Sequence, residues 1–582
     1  MSGVLAVATQ REYHAYAAAF RGQHKCQPEE NWDFLAQVFD FLFTPSSPAA
    51  PFGPMMTSGD RRTLIPGDLS DEQLLALEQA FGAADDPEFR ARVGDVLWLR
   101  RRNAVAAREA VGDYIASGSR LEDPEHWTLG LERYERAIRL ARQLGPRGEL
   151  LRQALQHLEA RVLYYDGSDP LYFSLKAMEL LDEFAFGDFD ALAGIAGRVA
   201  QASSSTGHHD RARIYFLVQA RLLRRARRTD DAEAARAAGA ECLVRDAEAQ
   251  ERGGSFMTAR RFWEQAISAF HDCPTLRSRL PELRHRLSEA GRRTLDEMKT
   301  ATSDPIDIRE HVRAVRERME GLSWDDAFFQ FATLVVLVEP EALRRDAVEV
   351  GRGSIVHTLI QADVFDQAGR KIAVRPPLGT GDAQREEVAI EGLMDQGARM
   401  QRDIHVHAVL APAARVMRDE HVIDEAAVAA LIKDSAFIPE GRLSLFVRAI
   451  VAGFKFDFST ALHVLVPQAE NALRQVLEQQ GVVARNVDRD GVEEVWSVER
   501  VLAHREMTEV FGADMVYELR SLLAGRVGPN LRNVIAHGLA DENTLNSESG
   551  FYLWWVLVRL VAMTSDGMAA WVERLRAADA GD

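Results

Sequence analysis

The sequence has few of the features that mark disulfide-bonded, secreted or membrane-spanning proteins. Its 582 residues include three cysteines, Cys26, Cys242 and Cys273, which are too few and too widely spaced for a disulfide framework or a metal site. Free thiols in a reducing cytoplasm are therefore predicted. The first residues lack the basic region and apolar core of a signal peptide. The longest apolar run, 551–563, is interrupted by Arg559 and is too short to cross a bilayer, so we expect a buried helix there and no membrane contact.

The sequence also lacks an excess of positive charge. Its net charge is −18, and the part from Gly441 onward has 14 Lys+Arg against 19 Asp+Glu, a difference of −5. This balance argues against a protein that coats nucleic acid through charge alone. Two arginine clusters, 100–102 and 221–228, could follow a phosphate backbone. The alternative is a solvated helix face, since Asp230, Asp231 and Glu233 follow the second cluster directly.

Runs of strand-forming residues are scarce, and alanine, leucine, arginine and glutamate dominate, so a mostly all-α fold is predicted. A chain of this length is expected to contain several domains. We divide it into four segments. These are a mixed helical and loop segment 1–75, an irregular solenoid-like helical array 76–300, a connecting helical region 301–432 with a small hairpin at 364–374, and a C-terminal helical bundle 433–582.

Residues 528–538, Gly-Pro-Asn-Leu-Arg-Asn-Val-Ile-Ala-His-Gly, have the pattern of a short helix. Pro529 suits a first helical position, because its φ angle is fixed near the helical value. Gly538 suits the left-handed residue that ends a helix. The stretch therefore predicts one short helix with defined ends.

Three polar side chains lie within this predicted helix. Asn533 and His537 are four residues apart and share a face, whereas Arg532 lies about 140° round the axis. Arginine binds phosphate through a planar fork, and histidine transfers protons near neutral pH. Cleavage of an RNA backbone requires both of these chemistries.

Arg532 to His537 resembles the Arg-x4–6-His signature of the HEPN superfamily, small helical domains found in many ribonucleases. The longer string from Asn530 to Leu539 resembles an uncharacterised domain family, with bacterial and eukaryotic members, that carries an NLRNxxAHG signature. The upstream segment 437–474 is similar to that family as well. The resemblance extends over roughly residues 433–575 and implies a HEPN-like bundle.

The resemblance implies RNA cleavage by the substrate's own 2′-hydroxyl, with no metal and no other cofactor. His537 would transfer a proton, Arg532 would neutralise the phosphate, and Asn533 would orient the imidazole or hold the backbone. It also implies a homodimer through the C-terminal domain, in which two copies of the motif face each other.

Four further residues are candidates for supporting the site or binding RNA. His463, Glu470 and Arg474 fall on one face of a helix predicted to begin at Ser459 or Thr460. Asn530 directly precedes the Arg532 motif. No metal-ligating set accompanies these residues, because His405 and His407, two residues apart, point away from each other on a helix.

Two functional hypotheses follow. The first is a HEPN-type endoribonuclease whose RNA cleavage is controlled by the N-terminal helical array, which would bind a protein partner. Bacterial stress response or anti-phage defence fits this organisation by analogy. The alternative is a helical-repeat interaction protein or sensor, whose HEPN-like domain only drives dimerisation. In that case Arg532 would pair with Glu470 for structural reasons, and His537 would cap a helix end.

Overall fold

The structure is a computed structural model that describes residues 2–8, 12–27, 31–58, 61–298, 305–366, 368–487, 489–525 and 527–579. It is mostly α-helical, with small two-stranded sheets, which confirms the predicted all-α class. Two compact units are formed, residues 1–297 and 298–582. Each unit contains about two of the four segments expected from the sequence.

Unit one begins with three helices and two short hairpins and continues as a succession of helices. Its strands are β1 (Leu42–Phe43), β2 (Phe52–Gly53), β3 (Thr57–Ser58) and β4 (Arg61–Arg62), paired β1–β2 and β3–β4. Its helices are α1 (Ser2–Ala8), α2 (Tyr13–Cys26), α3 (Trp32–Phe39), α4 (Asp71–Ala83), α5 (Pro87–Arg101), α6 (Ala104–Leu121), α7 (Thr128–Leu144), α8 (Glu149–Tyr165), α9 (Phe173–Glu183), α10 (Phe189–Ser205), α11 (His209–Arg225), α12 (Thr229–Arg252), α13 (Phe256–His271) and α14 (Leu280–Glu297).

From α10 to α14, each helix packs mainly against its neighbours in the chain. This contact pattern is that of a helical array. Ser70 caps the start of α4, because its hydroxyl accepts from Gln73 N and the Gln73 side chain accepts from Ser70 N.

Buried ion pairs join α5 to α7. Glu88 and Asp95 are seven residues apart on one face of α5, and both are buried. Arg133 of α7 binds Glu88 with N–O distances of 2.9 and 3.2 Å, and Arg136 binds Asp95 with two distances of 2.7 Å. Removing one partner from such a pair leaves a buried charge, so these contacts fix the register of the two helices.

Unit two is built around one long apolar helix, α29. Its strands are β5 (Ala362–Phe365), β6 (Lys371–Arg375), β7 (Arg485–Val487) and β8 (Glu493–Val495), paired β5–β6 and β7–β8. Its helices are α15 (Arg309–Met319), α16 (Trp324–Thr333), α17 (Pro340–Gly353), α18 (Ile355–Leu359), α19 (Ala383–His405), which runs through a π-helical turn (Val406–Leu410) into α20 (Ala411–Glu420), α21 (Glu425–Ile432), α22 (Leu443–Phe454), α23 (Phe458–Gln479), α24 (Val498–Leu502), α25 (Arg505–Phe511), α26 (Ala513–Leu523), α27 (Leu531–Ala536), α28 (Glu542–Leu545), α29 (Glu548–Met563) and α30 (Asp566–Asp579).

The buried helix predicted at 551–563 is confirmed, because residues 551–558 of α29 are at most 5% exposed. Helices α16, α19, α22 and α23 pack around it. The resulting core extends from Met319 to Trp571. It therefore includes residues on both sides of the boundary expected at 433, and the connecting region and the C-terminal bundle share one core.

The two hairpins of unit two compare differently with the sequence. The hairpin predicted at 364–374 is present as β5 and β6, with Gly369 at a left-handed φ of 73°, while Gln367 lies outside the described residues. Residues 485–487 and 493–495 pair as β7 and β8, a hairpin that the sequence analysis does not predict. Both strands are exposed on both faces, so they lack the alternation by which a strand is recognised in a sequence.

No single helix among the described residues is long and apolar enough to cross a bilayer. Helices α29 and α30 meet the length and composition criterion only together, as a pair with a 76° bend.

Gly453 of α22 allows close contact with the buried Trp554 of α29. A Cβ atom at position 453 would lie 2.1 Å from two indole ring atoms, so Gly453→Ala requires the core to shift. We expect a loss of about 3 kcal/mol in the free energy of unfolding. Gly353→Ala, where a Cβ meets open space, should stay within about 1 kcal/mol of wild type. Thermal unfolding followed by circular dichroism measures both; equal melting temperatures would contradict this packing.

The buried carboxyl of Asp113 on α6 should make the stability of the folded chain depend on pH. Burial raises the pKa of its carboxyl to about 6 from an ordinary value of 3.8, against the attraction of Arg90 at 3.1 Å. The folded chain therefore binds this proton more tightly than the unfolded chain, and the stability it contributes below pH 3.8 is lost as the pH rises through about 6. We compare the free energy of unfolding of Asp113→Asn with that of wild type at about pH 4 and about pH 7. The difference should shift in favour of Asp113→Asn by up to about 3 kcal/mol as the pH rises between these two values. Urea denaturation at both pH values checks this, and a constant difference would contradict it.

Candidate functional site

Helix α27 carries the candidate motif and is shorter than the sequence suggested. It begins at Leu531, because Asn530 has a left-handed φ of 48° and breaks the helical path before it. The expectation that Pro529 is the first helical residue was therefore wrong. The prediction for Gly538 is confirmed, since its φ is 64°.

The end of α27 is closed by two backbone hydrogen bonds. Gly538 N donates to Ile535 O at 3.1 Å, and Leu539 N donates to Val534 O at 2.7 Å. This pair of bonds is the Schellman motif, in which a left-handed residue turns the chain back over the last carbonyls. His537 lies directly before that residue and is exposed.

Helices α23 and α26 supply the surface against which α27 packs, and α23 carries the polar residues of the site. It runs continuously from Phe458 through Pro467 to Gln479 and is capped by Asp457, whose carboxylate accepts from Thr460 N at 2.9 Å. The start predicted at Ser459 or Thr460 is thus slightly late. Apolar residues three or four apart in the sequence form its core face, and they are at most 8% exposed: Leu462, Leu465, Val466, Ala469, Leu473 and Val476.

The carboxylate of Glu470 on α23 binds Arg532 on α27. Arg532 Nε donates to Glu470 Oε2 at 2.9 Å, and Nη2 donates to Oε1 at 3.2 Å. The Glu470 side chain is 10% exposed and that of Arg532 is 30% exposed, so solvent weakens this pair less than a surface pair. The contact fixes the position of α27 on α23.

Arg474 contacts the same carboxylate from one helical turn further along α23. Its Nη2 donates to Glu470 Oε1, and its Nε donates to Trp496 O at 2.8 Å. Arg532 Nη1 donates to Asn533 Oδ1 at 3.1 Å. Two guanidinium groups thus share one carboxylate, and this cluster has a net charge of +1.

The imidazole of His537 differs from the side chains of this cluster in its contacts. Within the part of the chain that the structure describes, its ring makes no hydrogen bond or ion pair. Both ring nitrogens are accordingly open to a bound molecule or water, as proton transfer requires.

Two of the candidate residues lie apart from this cluster. His463 is exposed, and its Nδ1 contacts Ser459 O, within its own helix, at 2.8 Å. The Asn530 side chain does not cap α27, and its Oδ1 is buried with no hydrogen-bond partner among the residues that the structure describes. The structure therefore brings together Arg532, Asn533, Glu470 and Arg474, and leaves His463 and Asn530 outside.

The sequence did not predict that the Trp496 carbonyl accepts a hydrogen bond from Arg474, because every residue type has a backbone carbonyl. It also left open whether the arginine clusters follow a phosphate backbone. Arg221 and Arg225 bind Asp182, and Arg228 binds Asp190 and Asp231, which agrees with a solvated, charge-paired face. No group of three or more metal-ligating side chains with suitable geometry occurs among the described residues.

Comparisons with known proteins concern the other end of the chain. A family model described as a domain of unknown function, DUF7380, matches residues 1–153. The match lies within unit one and ends before the Arg532 cluster. No curated protein and no solved structure matches the chain.

Proposed function

We propose that unit two is a HEPN-like endoribonuclease that cleaves RNA through its 2′-hydroxyl. The main support for this proposal is that a histidine and an arginine with complementary chemistry lie within six residues on and directly after α27. The C-terminal end of the helix presents the exposed imidazole of His537, which no described residue contacts through a hydrogen bond or ion pair. Five residues earlier lies a guanidinium that Glu470 holds in place.

Arg532 retains the capacity to bind a phosphate in this arrangement. A guanidinium has five N–H donors. Three of them are used, two on Glu470 and one on Asn533. Because Arg474 shares the carboxylate, one positive charge of the cluster is not neutralised. Such a fixed charge stabilises the phosphate as negative charge builds up in the transition state.

His537 provides the proton transfer. The 2′-oxygen attacks the adjacent phosphorus and loses its proton, the bond to the 5′-oxygen breaks, and that oxygen gains a proton. The products are a 2′,3′-cyclic phosphate and a free 5′-hydroxyl. In a homodimer a second His537 would let one imidazole accept a proton while the other donates one. In this proposal RNA is the substrate, and unit one binds the protein that controls access to it.

A specific observation supports the alternative of a non-catalytic scaffold. The bidentate contact with Glu470 gives Arg532 a sufficient structural reason to be present. His537, by contrast, has no such contact, so variants of His537 separate the two functions better than variants of Arg532.

His537→Ala should abolish RNA cleavage while leaving the melting temperature unchanged, because the ring makes no described contact but is needed for proton transfer. Loss of a general acid or base typically costs a hundredfold or more in rate. The full chain should be incubated with single-stranded RNA and the ends identified by mass spectrometry. His407→Ala is the matched control, since His407 is also an exposed histidine of unit two, bound to Glu548 and outside the cluster.

Arg532→Lys is the companion variant. Lysine keeps the charge but lacks the fork, so cleavage should remain low, and stability should fall by about 1–3 kcal/mol as the bidentate contact is lost. Cleavage by His537→Ala at the wild-type rate would rule out His537 as the proton-transfer group. No cleavage by the wild-type chain, together with a lower melting temperature of His537→Ala, would favour the scaffold.

Assembly gives a separate prediction. If two α27 helices form one composite site, the full chain should be a two-fold dimer in solution. Light scattering and sedimentation at increasing concentration, with and without RNA, measure its mass. A monomer under all these conditions would exclude a composite site.

A further inference from the structure

Unit two contains a cavity of about 520 Å³ that none of the candidate residues lines. Strand β6 and helices α19 and α26 form most of its wall. Apolar side chains such as Ile372, Val388 and Met394 line much of it, and a few polar groups face the same space. This volume and mixed lining are typical of small-molecule sites.

Two polar groups in the cavity have hydrogen-bonding capacity to spare. The Tyr517 hydroxyl oxygen is buried, and no hydrogen-bond partner for it occurs among the described residues. Asp395 Oδ1 accepts one hydrogen bond, from Ser521 Oγ at 2.8 Å. Burial raises the pKa of Asp395, and burial together with the charge of Asp395 raises the pKa of Tyr517. A ligand that accepts from the phenol and donates to the carboxyl would satisfy both groups.

The carboxyl group is held in place by a buried network. Ser521 Oγ accepts from Arg402 Nη1 at 3.1 Å, and Arg402 Nε donates to Glu518 Oε2 at 2.7 Å. The Tyr552 hydroxyl on α29 donates to the other oxygen of Glu518 at 3.0 Å. Because Arg402 and Glu518 are almost fully buried, this chain of bonds ties the orientation of Asp395 to the core.

The charges around the cavity select against phosphate. Arg344 pairs with Glu387 at 2.5 Å, and Arg520 lies 3.5 Å from Glu391. The lining also includes Asp395 and Glu499, so its formal charge is −2. A neutral ligand rich in N–H donors fits this lining, whereas a phosphate would be repelled.

Two short stretches of chain connect the cavity wall to the Arg532 cluster. Val527 lines it, and five residues of backbone, at most about 18 Å, separate Val527 from Arg532. Glu499 lines it as well, three residues after Trp496, whose carbonyl accepts from Arg474. A nucleotide with its base in the cavity could therefore have its phosphate near Arg474 and Arg532.

We propose that the cavity binds a guanine base of an RNA strand. Guanine N1–H and N2–H would donate to the Asp395 carboxylate, and its O6 would accept from the Tyr517 hydroxyl. Adenine and cytosine place a ring nitrogen acceptor beside their amino group, and uracil has one N–H between two carbonyls. Neither pattern matches a carboxylate with a neighbouring phenol. The role of this cavity in selecting RNA rests on the ribonuclease proposal.

Guanosine binding to the full chain tests the cavity without requiring cleavage. Isothermal titration calorimetry should detect guanosine and not adenosine. Asp395→Asn should weaken binding at least tenfold, because the amide cannot accept both N–H groups. Tyr517→Phe should weaken it several-fold without harming folding, since the hydroxyl has no described partner. Asp403→Asn is the matched control, on the same helix and outside the cavity, and should bind as wild type does.

Absence of guanosine binding at millimolar concentration, equal binding of adenosine, or equal weakening by Asp403→Asn would overturn the proposal. A short single-stranded RNA with one guanine should displace guanosine, and the same RNA with adenine there should not. Failure of the guanine RNA to compete would overturn the assignment to RNA in favour of a free nucleoside. Since binding is measured without cleavage, failure of the cavity and failure of His537 chemistry are distinct results.

Discussion

A charged group that leaves water has to be paired, and this requirement fixes helix positions in both units. In unit one, two buried carboxylates of α5 face two buried arginines of α7. In unit two, Arg402 and Glu518 join α19 to α26. Contacts in which a guanidinium engages a carboxylate through two nitrogens tolerate little sliding, so each defines the register of the helices that carry it. Apolar packing excludes water from these helices, and the charges decide how they align.

The same requirement shapes the candidate site. Glu470 is mostly buried on α23 and needs a cation, and α27 supplies Arg532. The short helix is thereby attached to a long one by a group that also has the chemistry to bind phosphate. His537 is attached to nothing described, so the site combines one side chain set by the fold with one left free. A catalytic site requires both, and a scaffold requires only the first.

The sequence predicted most of what depends on local pattern. The spacing of Leu462, Leu465 and Val466 indicated the buried face of α23, and the apolar run in α29 indicated a core helix. The sequence did not predict features that depend on the backbone conformation of one residue or on a contact with a residue far away in the chain. Because Asn530 is left-handed, α27 starts at Leu531 and not at Pro529. The helical pattern also could not show that residues before and after position 433 share one core. The cavity joins Asp395 to Ser521, 126 residues away, a proximity that no short-range periodicity contains.

Both ends of the candidate string are backbone features. Asn530 and Gly538 have φ angles of 48° and 64°, values that asparagine and glycine adopt more readily than other residues. Much of the string therefore encodes how the chain enters and leaves α27. A relative that kept these two residues and Arg532 but replaced His537 would keep the helix and its bond to Glu470 and lose only proton transfer. A sequence search with this string would therefore find inactive proteins as well as any nucleases. The residue at position 537 would distinguish the two groups.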